Sequence, residues 1–446
     1  MNALSARNFR WEMRAALLMP MAMACLEGNA VGVLANKAFI GEDAPPSMRY
    51  VVAALTAAAP LAMLSSVIWT RLFHGRDRVR CANVLQFGAL LCVACIAVAP
   101  FNSVGIIMLV ASTLIGRSML TGIITARTDI WRANYRRHER ARVTGRLTIA
   151  TTLIIGCTSL TMAKIMDLEA TGPDGYRIVY AIAIVAGLGG IACFSRIRWR
   201  GRSQHLSRER SGDEDGVEPP SPRAMLRILK RDHLYRRFMV AQFVLGAPNL
   251  AALPVFILSL EDIFRKNYTQ SILLAQVIPL AVPAAAIPIW SRLLDRMHVV
   301  RYRVFHSWFF VSANVLTGLG FMLESEPIIY VGRFVFGAAI GGGMLAWSLG
   351  HHDFASRELA SIYMGIHATL TGVRGALAPF LGTFLYQGIA IALVLPLAGQ
   401  VTLRWDGIGS GWTFFVLAAV GAIAALMFLR MHRSIKRDNA PNTSSN

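Results

Sequence analysis

The chain has 446 residues, 55% of them hydrophobic, and a mean hydropathy of +0.49, which excludes an ordinary soluble domain. A formal net charge of +20 would suit a nucleic-acid binder, but the basic residues alternate with long apolar runs, and that placement argues against such a partner.

A helix rises about 1.5 Å per residue, so about 20 apolar residues cross a bilayer core of about 30 Å. Twelve such runs are predicted, near 15–36, 49–70, 81–100, 104–128, 145–165, 176–195, 237–259, 270–291, 303–323, 327–349, 361–385 and 411–429. Arg7, Arg10 and Arg14 precede a first run of full length, with no small-residue cleavage site, so it serves as an uncleaved insertion signal. That run carries Glu27 and Asn29. The second ends in Ile68-Trp69-Thr70-Arg71-Leu72, and the fourth holds Arg117 and Thr121. Residues 199–234 combine Arg and Ser with Asp213-Glu214-Asp215 and Pro219, Pro220 and Pro222, the composition of a disordered linker. Its last part, around Met225, Leu226, Ile228 and Leu229, reads as a short amphipathic helix on the inner membrane surface.

Beyond the linker the chain repeats itself. Ile289-Trp290-Ser291-Arg292-Leu293 closes the eighth run as its counterpart closes the second, Asn249 matches Asn29, and Arg333 with Trp347 matches Arg117 with Trp131. A duplicated set of membrane helices explains this, and many secondary transporters are built that way. The expected domains are a six-helix bundle over 1–198, the linker over 199–234, a second six-helix bundle over 235–433, and a disordered tail over 434–446. The stretch through Gln387–Gly399 is expected to be a re-entrant or outer segment.

Of the 45 Lys and Arg, 35 fall in alternate loops, 7 in the intervening ones and 3 inside runs. By the positive-inside rule both termini are cytoplasmic, in a plasma (inner) membrane. The six cysteines fall in or at the ends of apolar runs, and Cys92 and Cys95 have no second pair, so a zinc site is not expected. His351-His352-Asp353 is read as a solvated turn. No HExxH, GxSxG or Walker loop is present, so no enzyme activity, cofactor or metal is expected.

Charges inside a membrane are costly and require a reason. Glu27 lies about 20 Å past Arg14 by helical rise, near the midplane. Arg117 shares a face with Thr121, and a Glu27–Arg117 pair would neutralise both, whether as a static brace or as part of a transport cycle. Arg374 shares a face with His367 and Thr371 and has no acid in its own helix. It is read either as a contact for the negative group of a substrate or as a cap on backbone carbonyls near a broken Gly375–Pro379 stretch. Arg333, seven residues past Glu326, is expected to reach water. Asn29 sits about 200° around the helix from Glu27, so both can face one cavity only if the first helix unwinds. Counting Glu27, Arg117 and Arg374 together gives a site of net +1, which favours an anionic or zwitterionic small molecule. Glu27 and His367 are titratable, which is compatible with proton coupling.

Two sets of six runs, a charged central loop and a basic signature after runs 2 and 8 make the chain resemble the major facilitator superfamily. That family carries Gly-x-Leu-x-Asp-Arg-x-Gly-Arg-Arg at the signature, and Ser291, Leu293, Asp295, Arg296, His298 and Arg301 follow it here, with Ser291 and His298 replacing the glycines. After run 2, His74 and Gly75 stand where Asp-Arg is usual. The resemblance implies an all-α fold of twelve transmembrane helices in two pseudo-symmetric bundles, monomeric, with runs 3, 6, 9 and 12 facing lipid. It also implies that Asp295 and Arg296, with Arg292 and its repeat Arg71, help lock the cytoplasmic gate. The function expected is secondary transport by alternating access. The other reading is a transport-inactive sensor or assembly partner with the same architecture.

Overall fold

A computed structural model describes residues 3–41, 44–211, 221–356, 359–395 and 399–438. The acidic and proline-rich middle of the linker and the tail beyond residue 438 lie outside the described residues.

The first apolar run forms α1 (Ala3–Ala24) and α2 (Gly28–Leu34), then a π-helical turn over Ala35–Ile40. The second forms α3 (Tyr50–Ala62) and α4 (Ser66–Phe73). Next come α5 (Arg78–Ala97), α6 (Ser103–Asn134), α7 (Arg137–Met166) and α8 (Gly175–Phe194). The linker contributes α9 (Arg202–Ser211) and α10 (Pro222–Arg231). The second stretch begins with α11 (His233–Ser259), which ends in a π-helical turn over Leu260–Phe264. There follow α12 (Tyr268–Ile272), another π-helical turn over Leu273–Val277, and α13 (Ile278–Leu294). The last helices are α14 (Val299–Met322), α15 (Glu326–Leu349), α16 (Ala360–Gln387) and α17 (Ser410–Asp438). Several starts are dictated locally: Asp77, Asn102, Asp232 and Asn267 each accept from a backbone N–H two or three residues on, capping the helix behind them.

Among the described residues, 11 helices are long and apolar enough to cross a membrane. The eleventh predicted run, α16, is of similar length, but Arg374, its threonines and its glycines make it less apolar than the others. One element departs from the all-α expectation. β1 (Ile389–Leu395) pairs antiparallel with β2 (Gly399–Trp405), Ile389 opposite Trp405. Gly388, at a φ of 75°, stops α16, and the seven apolar residues of β1 are too few to span as a helix but enough for a strand.

Within the first stretch α1 packs on α7 and α8, and α5 on α6; within the second, α14 packs on α15 and α17, and α11 on α16 and α17. The two stretches meet through α3 against α11 and α16, and through α7 against α12 and α13. Large apolar side chains point outward from α5 (Val84, Phe87, Leu91), α8 (Ile178, Ile182, Val185), α14 (Phe305, Trp308, Phe309) and α17 (Ile423, Leu426). Such surface is a liability in water and ordinary against acyl chains. The end where α1 begins and α4, α6 and α13 finish is called the base, and the opposite end the top. At the linker, Met225, Ile228 and Leu229 of α10 pack onto the second stretch rather than lying free on a membrane surface.

Candidate functional site

Glu27 sits at a break. α1 stops at Ala24, and Glu27 takes an extended backbone (φ −72°, ψ 115°) before α2 starts. Gly28 explains why the chain comes apart here: a Cβ on it would lie 2.3 Å from the carbonyl oxygen of Leu55, so α2 and α3 approach as only glycine allows. The carbonyl of Cys25, freed by the break, accepts from the Tyr180 hydroxyl at 2.8 Å. The local unwinding that Glu27 and Asn29 require of the first helix is therefore present. Arg117 Nη1 of α6 donates to Glu27 Oε1 at 2.6 Å, and the two side chains keep 19% and 27% exposure, so the pair is only partly buried. Thr121 turns its hydroxyl back to the carbonyl of Arg117 at 3.2 Å.

Asn29 and Asn249, repeat-related in sequence, do different things. Asn29 Nδ2 reaches the carbonyl of Ala275 at 3.3 Å, and the adjacent Ala30 N–H donates to Gln276 Oε1 at 2.9 Å. Asn249 Nδ2 bonds back within α11 to the carbonyl of Leu245 at 3.0 Å. Ala275 and Gln276 belong to the π-helical turn, where the wider winding offers carbonyls to neighbours, and such turns recur at functional sites. Arg333 exploits the same turn. It does not reach water as expected from its distance to Glu326. It is buried, Nε donates to the carbonyl of Leu274 at 2.9 Å and Nη2 to that of Ala275 at 3.3 Å, and the rings of Phe256 and Phe336 lie within 4.6 Å. Linear distance from Glu326 ignores the polar turn on the neighbouring segment.

Arg374, His367 and Thr371 do come together, as their shared face implies. Arg374 Nη2 donates to Thr371 Oγ1 at 3.1 Å, while Nη1 donates to the carbonyl of Gln242 in α11 at 2.7 Å. The guanidinium lies flat over Gly246, where a Cβ would come within 2.1 Å of Nη1. Arg374 thus caps a carbonyl, but one of α11; α16 runs unbroken through Gly375–Pro379. His367 stands beside Trp347, ring centroids 5.6 Å apart. All three residues are buried, and among the described residues no hydrogen bond or ion pair joins them to Glu27 or Arg117. The three charges counted as one site of net +1 are thus a neutral pair and a separate cationic group.

Sequence reasoning missed three buried charges: Arg303, Glu12 and, at the base, Arg78. Arg303 reads as part of a basic loop, yet it is 1% exposed in α14, and Nη1 lies 2.9 Å from His306 Nδ1. So the ninth run, expected to be free of interior charge, is apolar only on its outward face. The signal was available: Arg303 and His306 are three apart, on one face of a helix whose opposite face carries Phe305, Trp308 and Phe309. Glu12 was missed too; it is fully buried and accepts from Trp131 Nε1 at 2.6 Å and from the Tyr135 hydroxyl at 2.8 Å.

The top is cross-linked between the two stretches. Lys37 pairs with Glu261 and Arg49 Nη1 with Asp262 Oδ2 at 2.6 Å, while Tyr386, within the second stretch, also donates to Asp262. Tyr50 donates to the carbonyl of Gly388 at 3.0 Å, and Asp167 accepts from the N–H of Tyr268 at 2.8 Å and of Thr269 at 2.9 Å. Lys37 and Glu261 lie on the two π-helical turns that end the repeat-related first and seventh runs. At the base, no hydrogen bond or ion pair joins described residues of 3–211 to described residues of 221–438.

These features can be set against known proteins. The family model described as Major Facilitator Superfamily matches residues 15–379. The chain belongs to the Major Facilitator Superfamily. Among solved structures, a partially occluded inward-open conformation of the xylose transporter XylE from E. coli superposes with a TM-score of 0.65 at 11% identity, covering 100% of both chains. A mutant of the nucleoside transporter NupG gives 0.68 at 11% identity, over 94% of this chain and 99% of that one. A POT family transporter in complex with a thioalcohol-conjugated peptide gives 0.68 at 9% identity, over 96% of each. At such identities the likeness shows the fold. No curated protein matches the sequence. As a member of the superfamily, the protein is a multi-pass integral membrane transporter.

The superfamily signature occupies two loops at the base. Arg292, Asp295 and Arg296 are exposed or half-buried, and none makes an ion pair among the described residues. Arg71 lines a cleft of about 720 Å³ with Arg78, Asp129, Trp199 and Glu209. Here the linker enters the superfamily architecture: Glu209 of α9 accepts from the Gly75 N–H at 2.7 Å and from Arg78 Nη2 at 2.6 Å, while Arg78 Nε also donates to Asp129 at 2.9 Å. The carboxylate that His74-Gly75 lacks is supplied from about 130 residues away. Among the described residues, no group of three or more His, Cys, Asp or Glu is placed to hold a metal.

Proposed function

We propose that this protein is a secondary transporter that carries a small anionic or zwitterionic solute by alternating access. Its twelve segments form two pseudo-symmetric six-helix bundles, over 1–198 and 235–433, that rock about the midplane as a monomer. The observation that carries this reading is the asymmetry of the two ends. Cross-stretch ion pairs and hydrogen bonds close the top, while at the base the signature residues Arg71, Arg292, Asp295 and Arg296 make no ion pair across the interface among the described residues. A base lock that is built but not engaged implies a second state in which it engages and the top opens. The excess of Lys and Arg in the base loops supports cytoplasmic termini in a plasma (inner) membrane, which makes the present conformation inward-facing. The partly buried Glu27–Arg117 pair, at a helix break on the central side of α2, supplies a midplane group that can lose its partner when solute or a proton arrives. Asn29, Thr121 and Asn249 surround this level of the helices, and Arg374 with His367 and Thr371 supplies positive charge in the second bundle.

Spin labels at Arg71 and Arg292, and a second pair at Lys37 and Arg265, test the mechanism in the purified protein reconstituted in bilayers. The base distance should shorten as the top distance lengthens under at least one solute or pH gradient, with matching uptake into vesicles. One fixed distribution at both ends, with no uptake for any solute tested, would retire alternating access.

A further inference from the structure

We propose that the second stretch holds a buried oxyanion site, formed by Arg303 of α14, Arg374 and His367 of α16, and His351 at the base of α15, that receives a carboxylate or phosphate group. The four basic side chains are 1%, 8%, 2% and 7% exposed, respectively. Each keeps a sealed nitrogen with no partner: Arg303 Nε, Arg374 Nε, His367 Nε2 and His351 Nδ1. His367 and Arg374 share one face of α16, the turn Gly350–Asp353 that carries His351 packs against α16, and Arg303 is near enough to Arg374 and His367 to act on their charge. The four therefore form one neighbourhood rather than four isolated accidents.

Among the described residues no acid answers them. Asp232 is held by the Tyr363 hydroxyl at 2.7 Å and the Tyr235 N–H at 2.8 Å. Asp353 is held by the Val299 N–H at 2.6 Å and lies 3.9 Å from His298, and Asp295 is exposed at the base. His306 offers Arg303 a lone pair but no charge: its Nε2 lies 2.8 Å from the carbonyl of Ala339, an acceptor, so the proton sits on Nε2 and Nδ1 accepts. The protein also shows what a settled buried arginine looks like. Arg333 has its nitrogens on two carbonyls and its plane between two aromatic rings, and none of its atoms is orphaned. Against that standard, two like charges close together with idle N–H groups are an incomplete arrangement.

Guanidinium forks match the paired oxygens of carboxylates and phosphates, and a dianion would neutralise both arginines. The imidazoles add donors without adding fixed charge. Arg303 is one turn into α14 and His351 follows the end of α15, so both lie toward the base, the end left open between the stretches. As a substrate subsite this inference rests on the transporter reading; as a binding site it stands without it.

The test uses the full chain in detergent, titrated with inorganic phosphate or acetate against sodium chloride at equal ionic strength, followed by thermal unfolding and calorimetry. Wild type should show a saturable rise in Tm with phosphate or acetate beyond that of chloride. Arg303→Gln and Arg374→Gln should weaken the apparent affinity at least tenfold, and Arg265→Gln, at the top, should respond as wild type. If the glutamine variants do not fold, Arg303→Lys and His351→Gln carry the test, each weakening the response several-fold. A response no larger than that to chloride, or one that these variants leave unchanged, overturns the site. Exchange of labelled phosphate across reconstituted bilayers marks the anion as cargo, whereas binding without exchange marks it as a resident counter-ion. Binding with fixed spin-label distances and no uptake leaves the site standing and sinks the transport reading; moving distances without phosphate or acetate binding do the reverse.

Discussion

The first stretch answers its buried cation with a carboxylate, and the second does not. Arg117 finds Glu27 at 2.6 Å beside a helix break, while Arg374 and Arg303 find carbonyls, a threonine and a neutral histidine. The two stretches thus differ in their electrostatics. The lesson is that similar helices can carry polar groups into the membrane and balance their charge in different ways. One side is self-sufficient, and the other is left with charge to offer.

The sharpest way to break this contrast is to remove one member of each set. Arg117→Met strands Glu27 among half-buried groups and should cost about 3 kcal/mol, with the double variant Glu27→Gln, Arg117→Met recovering most of it. Thermal unfolding of the cycle measures this, and equal stabilities of single and double variants would dissolve the pair as an energetic unit. Arg333→Gln should cost about 2 kcal/mol, because two carbonyls of the π-helical turn lose charge-assisted donors. Hydrogen exchange over 273–277 should rise in step; unchanged exchange would mean the turn holds itself. Arg303→Met carries the opposite sign. In phosphate- and carboxylate-free buffer it relieves a like-charge contact and should leave Tm unchanged or raise it by the equivalent of about 1 kcal/mol. A loss as large as that of Arg117→Met would make the two stretches energetically alike. The smallest effect belongs to the top. Asp262→Asn removes a partly exposed pair worth about 0.5 kcal/mol and should tilt the population toward the top-open state about twofold. A doubled labelling rate at a cysteine replacing buried Ser259 would register it, and an unchanged rate would show that the seal does not depend on this acid.

Much of this was legible because charges in apolar runs are scarce. Glu27 and Arg117 stand out on that ground alone, and the 3- and 4-residue spacing from His367 to Arg374 describes their shared face correctly. The failures share a cause. Arg303 sits at the edge of its run and reads as loop, and depth alone misplaces Arg333, whose surroundings depend on what the neighbouring helix exposes. A π-helical turn has no composition of its own, so the carbonyls that hold Arg333 and Asn29 could not be read from Leu273–Val277. The run beginning at Ile389 is apolar enough to pass for membrane, and only Gly388 hints that it turns back. Glu209, in a segment that reads as disordered, belongs in space beside Gly75, and no local pattern announces a partnership over such a separation.

The docking of α9 has a mechanical consequence. With Glu209 anchored beside Gly75 and α10 seated on α11 and α16, ten residue steps of chain, from Ser211 to Ser221, join the two anchored ends. Ten steps span at most about 35 Å whatever their conformation, which sets a ceiling on how far the base can spread. Release of the Glu209 anchor would add the length of α9 to the tether, turning a short leash into a long one without touching the solute pathway.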